Sequence, residues 1–425
     1  MTVPTTTKHE LTTRVLPAIS VQLEFASPLE NDGFTAAGAD QQWIEESKKQ
    51  LQQNSCVGIP TETVYGLAAN ALSEQAVHAI YRAKSRPSDN PLIVHVSSVQ
   101  MLRSLYHLPE TATSLFPGTD NAASEGHGKQ ASQEDWPEIP QVYHQVIRKF
   151  WPGPLTLVMP RPMCIPMAVL GGHGDTVAFR FPDHPVARAV ISASNLPLAA
   201  PSANASGRPS PTTAAHVLHD LNGLLPLIVD GGPCDVGVES TVLDAYSANA
   251  YVDGQLSPCI LRPGGITYEQ LKSLGGVWEN TRVYKKHFTS SELETNPTTP
   301  GMKYRHYAPS VPVHVLIPAI NDVKGHDAMQ KRVDELALDG CQKIGLVAVK
   351  RADEELKFVE PKKCQLKLRW VDNAKHLAHC IFGLLRELDE SENVDAIIIE
   401  GVDEADEGMA VMNRLAKAAT FQIKA

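Results

Sequence analysis

The chain has 425 residues, of which 43% are hydrophobic and 20% charged, with a formal net charge of -10. Single hydrophobic cores stop growing near about 250 to 300 residues, so two domains are expected, and the acidic balance excludes a global basic field for nucleic acid: RNA, if bound, is bound locally or through a partner. No apolar run reaches the roughly 18 to 20 residues of a spanning helix, and the seven cysteines include no C-x-x-C pair, so neither a membrane span, a zinc site nor a disulfide framework is expected.

In chain order, residues 1–39 read as a polar, Thr-rich extension. Glu10 beside Lys8 and Arg14 argues against a secretory signal; the expectation is a cytoplasmic protein, with a weak organellar address and a mitochondrial fraction still compatible. A helix over 41–53, with Asp40 placed to cap it, opens a first domain spanning 40–275. Within it, apolar runs at 92–96, 156–159, 177–181 and 227–229 alternate with helical stretches, the pattern of a mixed α/β domain. Residues 118–140 lack either apolar period and concentrate Gly, Ser and acid, so they read as a mobile, solvated insertion away from the chemistry. Periodicity is lost again over 276–311, a linker ending in PGMKYRHYAP. Beyond 312, strands at 313–316, 344–349 and 396–400 alternate with helices, of which 373–388 is the clearest: Ala374, Leu377, Ile381, Leu384, Leu385 and Leu388 fall on one stripe. The region 312–425 is therefore expected to be a small Rossmann-like parallel β/α domain. Without a G-x-G-x-x-G after its first strand, nothing indicates a dinucleotide there.

No phosphate loop of the G-x(4)-G-K-[ST] type, H-E-x-x-H zinc helix or G-x-S-x-G elbow occurs, so the chemistry lies in rarer patterns. PTETVYGL (60–67) sets hydroxyls after a short strand, suited to a small polar ligand; alone it fits a turn with self-capping threonines better. KSRPSDNPLIVH (84–95) fixes Lys84 and Arg86 with two prolines, a means of neutralising triphosphate oxygens without a glycine loop, whereas a lone K-x-R is usually a solvated helix end. In TVAFRFP (176–182), Arg180 lies in an otherwise apolar strand and needs an anion; a protein carboxylate and a ligand suit it equally. The small-residue loop APSANASGRPSP (200–211) offers a nest for phosphate or ribose, or a surface turn. DGG (230–232), GVESTV (237–242) and ILRPGG (260–265) bring Ser240 and Arg262 to strand ends, where a β-turn and a surface arginine are the plainer reading of either piece alone.

In this order, and with WPGPLTLV at 151–158, the motifs closely resemble the YrdC-type threonylcarbamoyl-AMP synthase family over about 58–265, and the tail resembles its long, two-domain form. The resemblance implies an open twisted sheet in the catalytic domain. It implies that Thr63, His95, Arg180, Ala200 and Ser240 surround L-threonine, with Arg180 on its carboxylate. Arg86, Asn90, Thr176, Ser202, Ser210 and Arg262 would hold ATP, with Lys84 assisting, and His306 and Tyr307 of the linker would close over the nucleotide. Threonine's amine would take up bicarbonate-derived CO2, and the carbamate would attack the α-phosphorus of ATP and expel pyrophosphate. Mg2+ would accompany ATP; no protein ligand for a metal, no nucleophile and no general base is nominated, His95 being the one candidate of suitable pKa and better suited to binding. The product would serve tRNA modification next to the anticodon through a downstream threonylcarbamoyl-transferase complex, with at most a weak tRNA contact and no membrane. Two other readings fit less well. An RNA-binding scaffold should be basic, and a carbamoyltransferase maturation factor would carry zinc-finger cysteines and an acylphosphatase-like region.

Overall fold

The computed structural model of the chain describes residues 11–18, 22–25, 34–37, 41–113, 115, 136–290, 293, 306–317, 324–351 and 357–424. The first α/β unit is built on an 11-stranded mixed sheet. Its order is Arg14–Pro17, Leu227–Asp230, Val57–Ile59, Gly66–Asn70, Leu198–Ala199, Ile93–His95, Thr176–Arg180, Leu155–Pro160, Thr241–Asp244, Cys259–Arg262 and Arg282–Val283. The central strands are buried along almost their whole length, which is why they read as continuous apolar runs rather than as alternation. Helix Glu74–Lys84 shows how local signals bound an element: the Ser73 side chain accepts from the Ala76 N–H at its start, and Ser85 ends it at φ 50.

Register then places chemistry. Ile93–His95 runs parallel to Thr176–Arg180, and Leu155–Pro160 antiparallel to it, so His95, Arg180 and Thr156 stand side by side across three strands. In β-structure such neighbours share a face.

The second unit is a five-stranded parallel sheet, ordered Gln365–Val371, Lys343–Val349, Ala396–Glu400, Val313–Ile317 and Phe421–Lys424, with helices Lys324–Leu338, Ala374–Arg386 and Glu407–Ala418. Asn373 caps the second of these helices by accepting from the His376 N–H at 2.9 Å. The expected Rossmann-like domain is thus present with two further strands, Gln365–Val371 and Phe421–Lys424. Both are edge strands, partly exposed, and so lack the apolar run that marks a buried one.

Several boundaries differ from those expected. Arg14–Pro17 pairs with Leu227–Asp230, so the sheet begins inside the extension 1–39. The first helix is Gln42–Gln52 with Gln41 at its N-cap and no side-chain cap; Asp40 lies outside the described residues. Of the insertion 118–140, residues 118–135 are also outside them, but Trp136 and Ile139 are buried in the core and Glu138 pairs with Arg103 at 2.7 Å, so its last five residues are not a solvated loop. Past Gly275, Trp278 is buried and Arg282–Val283 extends the sheet beside Cys259–Arg262; the first unit runs beyond the linker boundary expected at 276. All seven cysteines are free, and no helix among the described residues is long and apolar enough to cross a membrane.

The second unit packs against loops of the first. At Gly237, φ is +80 and an added Cβ would lie 2.1 Å from the His379 carbonyl oxygen, so a side chain there would push the two units apart. Arg386 of Ala374–Arg386 donates to Asp220 Oδ1 at 3.1 Å, Asp220 Oδ2 at 2.6 Å and the Pro209 carbonyl at 2.6 Å.

Candidate active site

Where these loops converge, a cleft opens that is lined by polar and basic side chains of both the strand ends and the linker. Of the residues expected around an amino acid, His95, Arg180, Ala200 and Ser240 line it. Of those expected around a nucleotide, Lys84, Arg86, Ser202, Arg262, His306 and Tyr307 do.

Four expected residues do not. Thr63 is fully buried behind Arg180 and accepts from its Nη1 at 2.8 Å. Asn90 acts through its carbonyl, which accepts from Arg86 Nε at 3.2 Å while Pro91 takes Nη2 at 3.0 Å. Ser210 is buried and donates to Glu239 Oε1 at 2.6 Å. Thr176 sits at the other end of the strand from Arg180, about 13 Å away at 3.3 Å per residue, opposite Pro160 rather than the cleft. The first three shape cleft side chains; Thr176 stands two residues before Ala178 as Pro91 stands two before its strand partner Ile93, and so lies toward Arg86, which donates to the Pro91 carbonyl, rather than toward Arg180.

Arg180 is 4% exposed. Its Nη2 lies 2.7 Å from Glu62 Oε1, off the axis of a hydrogen bond, so this is a charge contact that leaves Nε, Nη2 and both Glu62 oxygens without hydrogen-bond partners. A protein carboxylate is therefore present; Nε has no partner, and a second anion would share Nη2 with Glu62. Burial, followed by the charge of Arg180, pushes the His95 imidazole down to about 3, and its Nδ1 faces the Ile93 carbonyl at 3.2 Å. His95 is a neutral ligand-facing group, unfit to take a proton at neutral pH.

Lys84 departs from its expected role. Its Nζ donates to the Ser202 carbonyl, to the Asn204 carbonyl at 2.5 Å and to Asn204 Oδ1 at 3.3 Å. An ammonium has three donors, and all three are used in holding the small-residue loop to the helix end. Burial lowers its pKa, with the Arg86 charge adding to the effect.

Arg262 donates to the Ser240 carbonyl at 2.9 Å and to Ser240 Oγ at 3.2 Å, and Ser240 Oγ meets Thr156 Oγ1 at 2.7 Å. His306 and Tyr307 close one side; the Ala308 N–H donates to Gly207 at 2.9 Å and fastens this end of the linker to the small-residue loop. Residues 301–305 lie outside the described residues.

Of two residues missed in the sequence, Glu239 lines the cleft and Arg414 lies buried behind it. Glu239 takes Ser210 on one oxygen and Arg414, from helix Glu407–Ala418, on the other at 2.9 Å. Burial alone would raise its pKa, but Arg414, Arg262 and Ser210 outweigh that and hold it at about 2. A glutamate directly before Ser240, in a segment leading into a buried strand, was one available signal. An arginine within the buried stripe Ala410, Val411, Leu415 and Ala418 was the other.

Five basic side chains and one carboxylate thus line the cleft, a local reversal of the chain's net charge of -10. Elsewhere, His219, Asp220 and Glu390 bring ligand atoms within 4.8 Å, but Arg208 and Arg386 already share their carboxylates, which opposes a cation.

Fold and cleft together define a two-domain α/β protein whose site is made for small, multiply anionic ligands. A family model described as telomere recombination, covering Sua5, YciO and YrdC, matches residues 49–119 and 127–264, and one described as the threonylcarbamoyl-AMP synthase C-terminal domain matches 266–420. The threonylcarbamoyl-AMP synthase of Schizosaccharomyces pombe is 45% identical over 86% of this chain and 85% of its own length. That of Pyrococcus abyssi is 38% identical over 88% and 93%. A crystal structure of P. abyssi Sua5 complexed with L-threonine superposes with a TM-score of 0.71 at 33% identity, covering 97% of this chain and all of that one. The chain belongs to the threonylcarbamoyl-AMP synthase family, in its two-domain form.

Proposed function

We infer that the protein makes L-threonylcarbamoyladenylate and pyrophosphate from L-threonine, bicarbonate and ATP, for N6-threonylcarbamoyladenosine formation in tRNA. The observation that carries this reading is Arg180: a buried guanidinium with two donors lacking hydrogen-bond partners, lining one cleft with Arg86 and Arg262. Threonine's carboxylate would take Nε and share Nη2 with Glu62. Its amine, as the carbamate, would then face the α-phosphate, with oxygen attacking phosphorus and pyrophosphate leaving as the P–O bond breaks. Catalysis would rest on placing the two reactants and on cations meeting the charge that develops, without a protein nucleophile. Glu239 has both oxygens engaged, so Mg2+ would enter on the triphosphate, as part of the substrate. The adenylate would pass to a threonylcarbamoyl-transferase complex, and any tRNA contact would be weak, given the acidic chain.

Purified protein supplied with ATP, labelled bicarbonate and single amino acids tests the reading. Pyrophosphate release should require both threonine and bicarbonate. Serine, short of one methyl, should outperform valine by about tenfold, because a polar cleft wall that meets the substrate hydroxyl would face a methyl of valine instead. Equal release with valine and threonine would refute the substrate assignment.

A further expected result concerns Lys417, one turn beyond Arg414. Burial, then the charges of Arg414 and Arg262, lower it to about 7, and it adds to the burial and the Arg86 charge that depress His306. An entering triphosphate favours the protonated form, so binding should take up protons and ATP affinity should fall as pH rises from about 7. Calorimetry in buffers of different ionisation enthalpy should detect the uptake, and Lys417→Met should abolish it; a buffer-independent enthalpy in the unaltered protein would exclude it.

A further inference from the structure

Arg414 is completely buried, belongs to the second unit, and touches three separate pieces of the first unit's cleft. Its Nε donates to Glu239 Oε2 at 2.9 Å, its Nη1 to the Pro263 carbonyl, and its guanidinium lies 5.9 Å from the centre of the Tyr307 ring. Glu239 precedes Ser240, which receives Arg262, and Pro263 follows Arg262 directly. Tyr307 is held at φ +67 against Phe382, with ring centres 5.1 Å apart. One guanidinium therefore ties both chain segments that aim Arg262 to the linker segment that closes the cleft.

We propose that Arg414 is a positioning residue for the nucleotide: the second unit supplies, through this side chain, the geometry in which Arg262 and Tyr307 meet the triphosphate. The proposal rests on the reading that the cleft binds ATP. Its physical basis is the fork. A planar guanidinium serves a carboxylate and a carbonyl at fixed angles while its face meets an aromatic ring. A lysine keeps the charge but lacks the separate nitrogens, Nε and Nη1, from which Arg414 serves Glu239 and Pro263, and the planar face that meets Tyr307. Two strands, Leu155–Pro160 and Thr241–Asp244, separate the Arg180 strand from Cys259–Arg262, and the partners of Arg180 are Thr63 and Glu62, so the proposed carboxylate anchor should not feel the change; on the amino-acid side only Ser240, which accepts from Arg262, adjoins it.

The test measures direct binding of ATP and of threonine, with steady-state KM values for both, in the full-length protein and in Arg414→Lys and Arg414→Met. The expected result is a rise of about tenfold in the ATP constants of Arg414→Lys, larger in Arg414→Met, with threonine binding within twofold of the unaltered protein in both. Retained threonine binding reports a folded cleft, which separates positioning from loss of structure. Loss of ATP and threonine binding in step would make Arg414 a packing residue and overturn the proposal. So would unchanged ATP binding in both variants. If the unaltered protein itself binds no ATP, the functional reading fails along with the proposal, whereas an unaltered protein that binds ATP as tightly as Arg414→Lys and Arg414→Met removes the proposal alone.

Discussion

Replacing Arg180 with alanine should raise the threonine concentration needed for half-maximal pyrophosphate release by about 30- to 900-fold, the equivalent of roughly 2 to 4 kcal/mol for a lost charged hydrogen-bond pair. Nucleotide affinity should stay within about twofold, because Arg86 and Arg262 hang on different strands and loops and keep their own partners, Asn90, Pro91 and Ser240. Glu62 complicates the single variant. Its carboxylate lies 2.7 Å from Arg180 Nη2, and removing the guanidinium strands a buried charge. The double variant Arg180→Ala with Glu62→Gln separates the two effects: it should recover stability while the threonine defect persists. Should ATP binding weaken as much as threonine binding in the double variant, Arg180 is not the carboxylate anchor.

The second large effect is expected at the seam between the units. Arg386 and Asp220 are 1% and 0% exposed at their side chains, with two hydrogen bonds between them. Removing one partner of such a pair costs about 3 to 5 kcal/mol, so Arg386→Met should be destabilised on that scale in urea unfolding. Because Asp220 Oδ2 also accepts from the Ala205 N–H and Arg386 donates to the Pro209 carbonyl, the small-residue loop should loosen too, and ATP affinity should drop with stability.

The sign of the pH dependence follows from the same pairs. Burial raises the Asp220 carboxyl, but Arg386 outweighs it and the net shift is downward; Glu239 is held at about 2. A carboxylate with a depressed folded pKa contributes stability that is complete above its unfolded value, near 4 for these groups, and lost as pH falls toward the folded one. Melting temperature should therefore fall between about pH 4 and 2, and Arg386→Met should show a shallower fall. A variant that melts within a few degrees of the unaltered protein at pH 7 would show the pair to be energetically neutral.

The sequence by itself determined the parts. Apolar runs such as 156–159 and 396–400 announced buried strands, the stripe after Asn373 announced its helix, and the ordered motifs from PTETVYGL to ILRPGG marked the loops that meet at the cleft. These signals are local: period, capping and turn chemistry depend on neighbours within a few residues, so one chain suffices to read them. Tertiary structure alone decided which motif residues face the cleft. Lys84 lines the cleft yet spends its three donors on the 200–208 loop, and Thr176 falls at the far end of the strand that carries Arg180, because strand pairing rather than motif membership sets what each residue stands beside. It also decided the partners of Glu239 and Asp220, which stand 175 and 166 residues from Arg414 and Arg386. No periodicity spans that distance. A buried arginine in an apolar stripe says that an anion must meet it, and only the docking of one unit on the other says which.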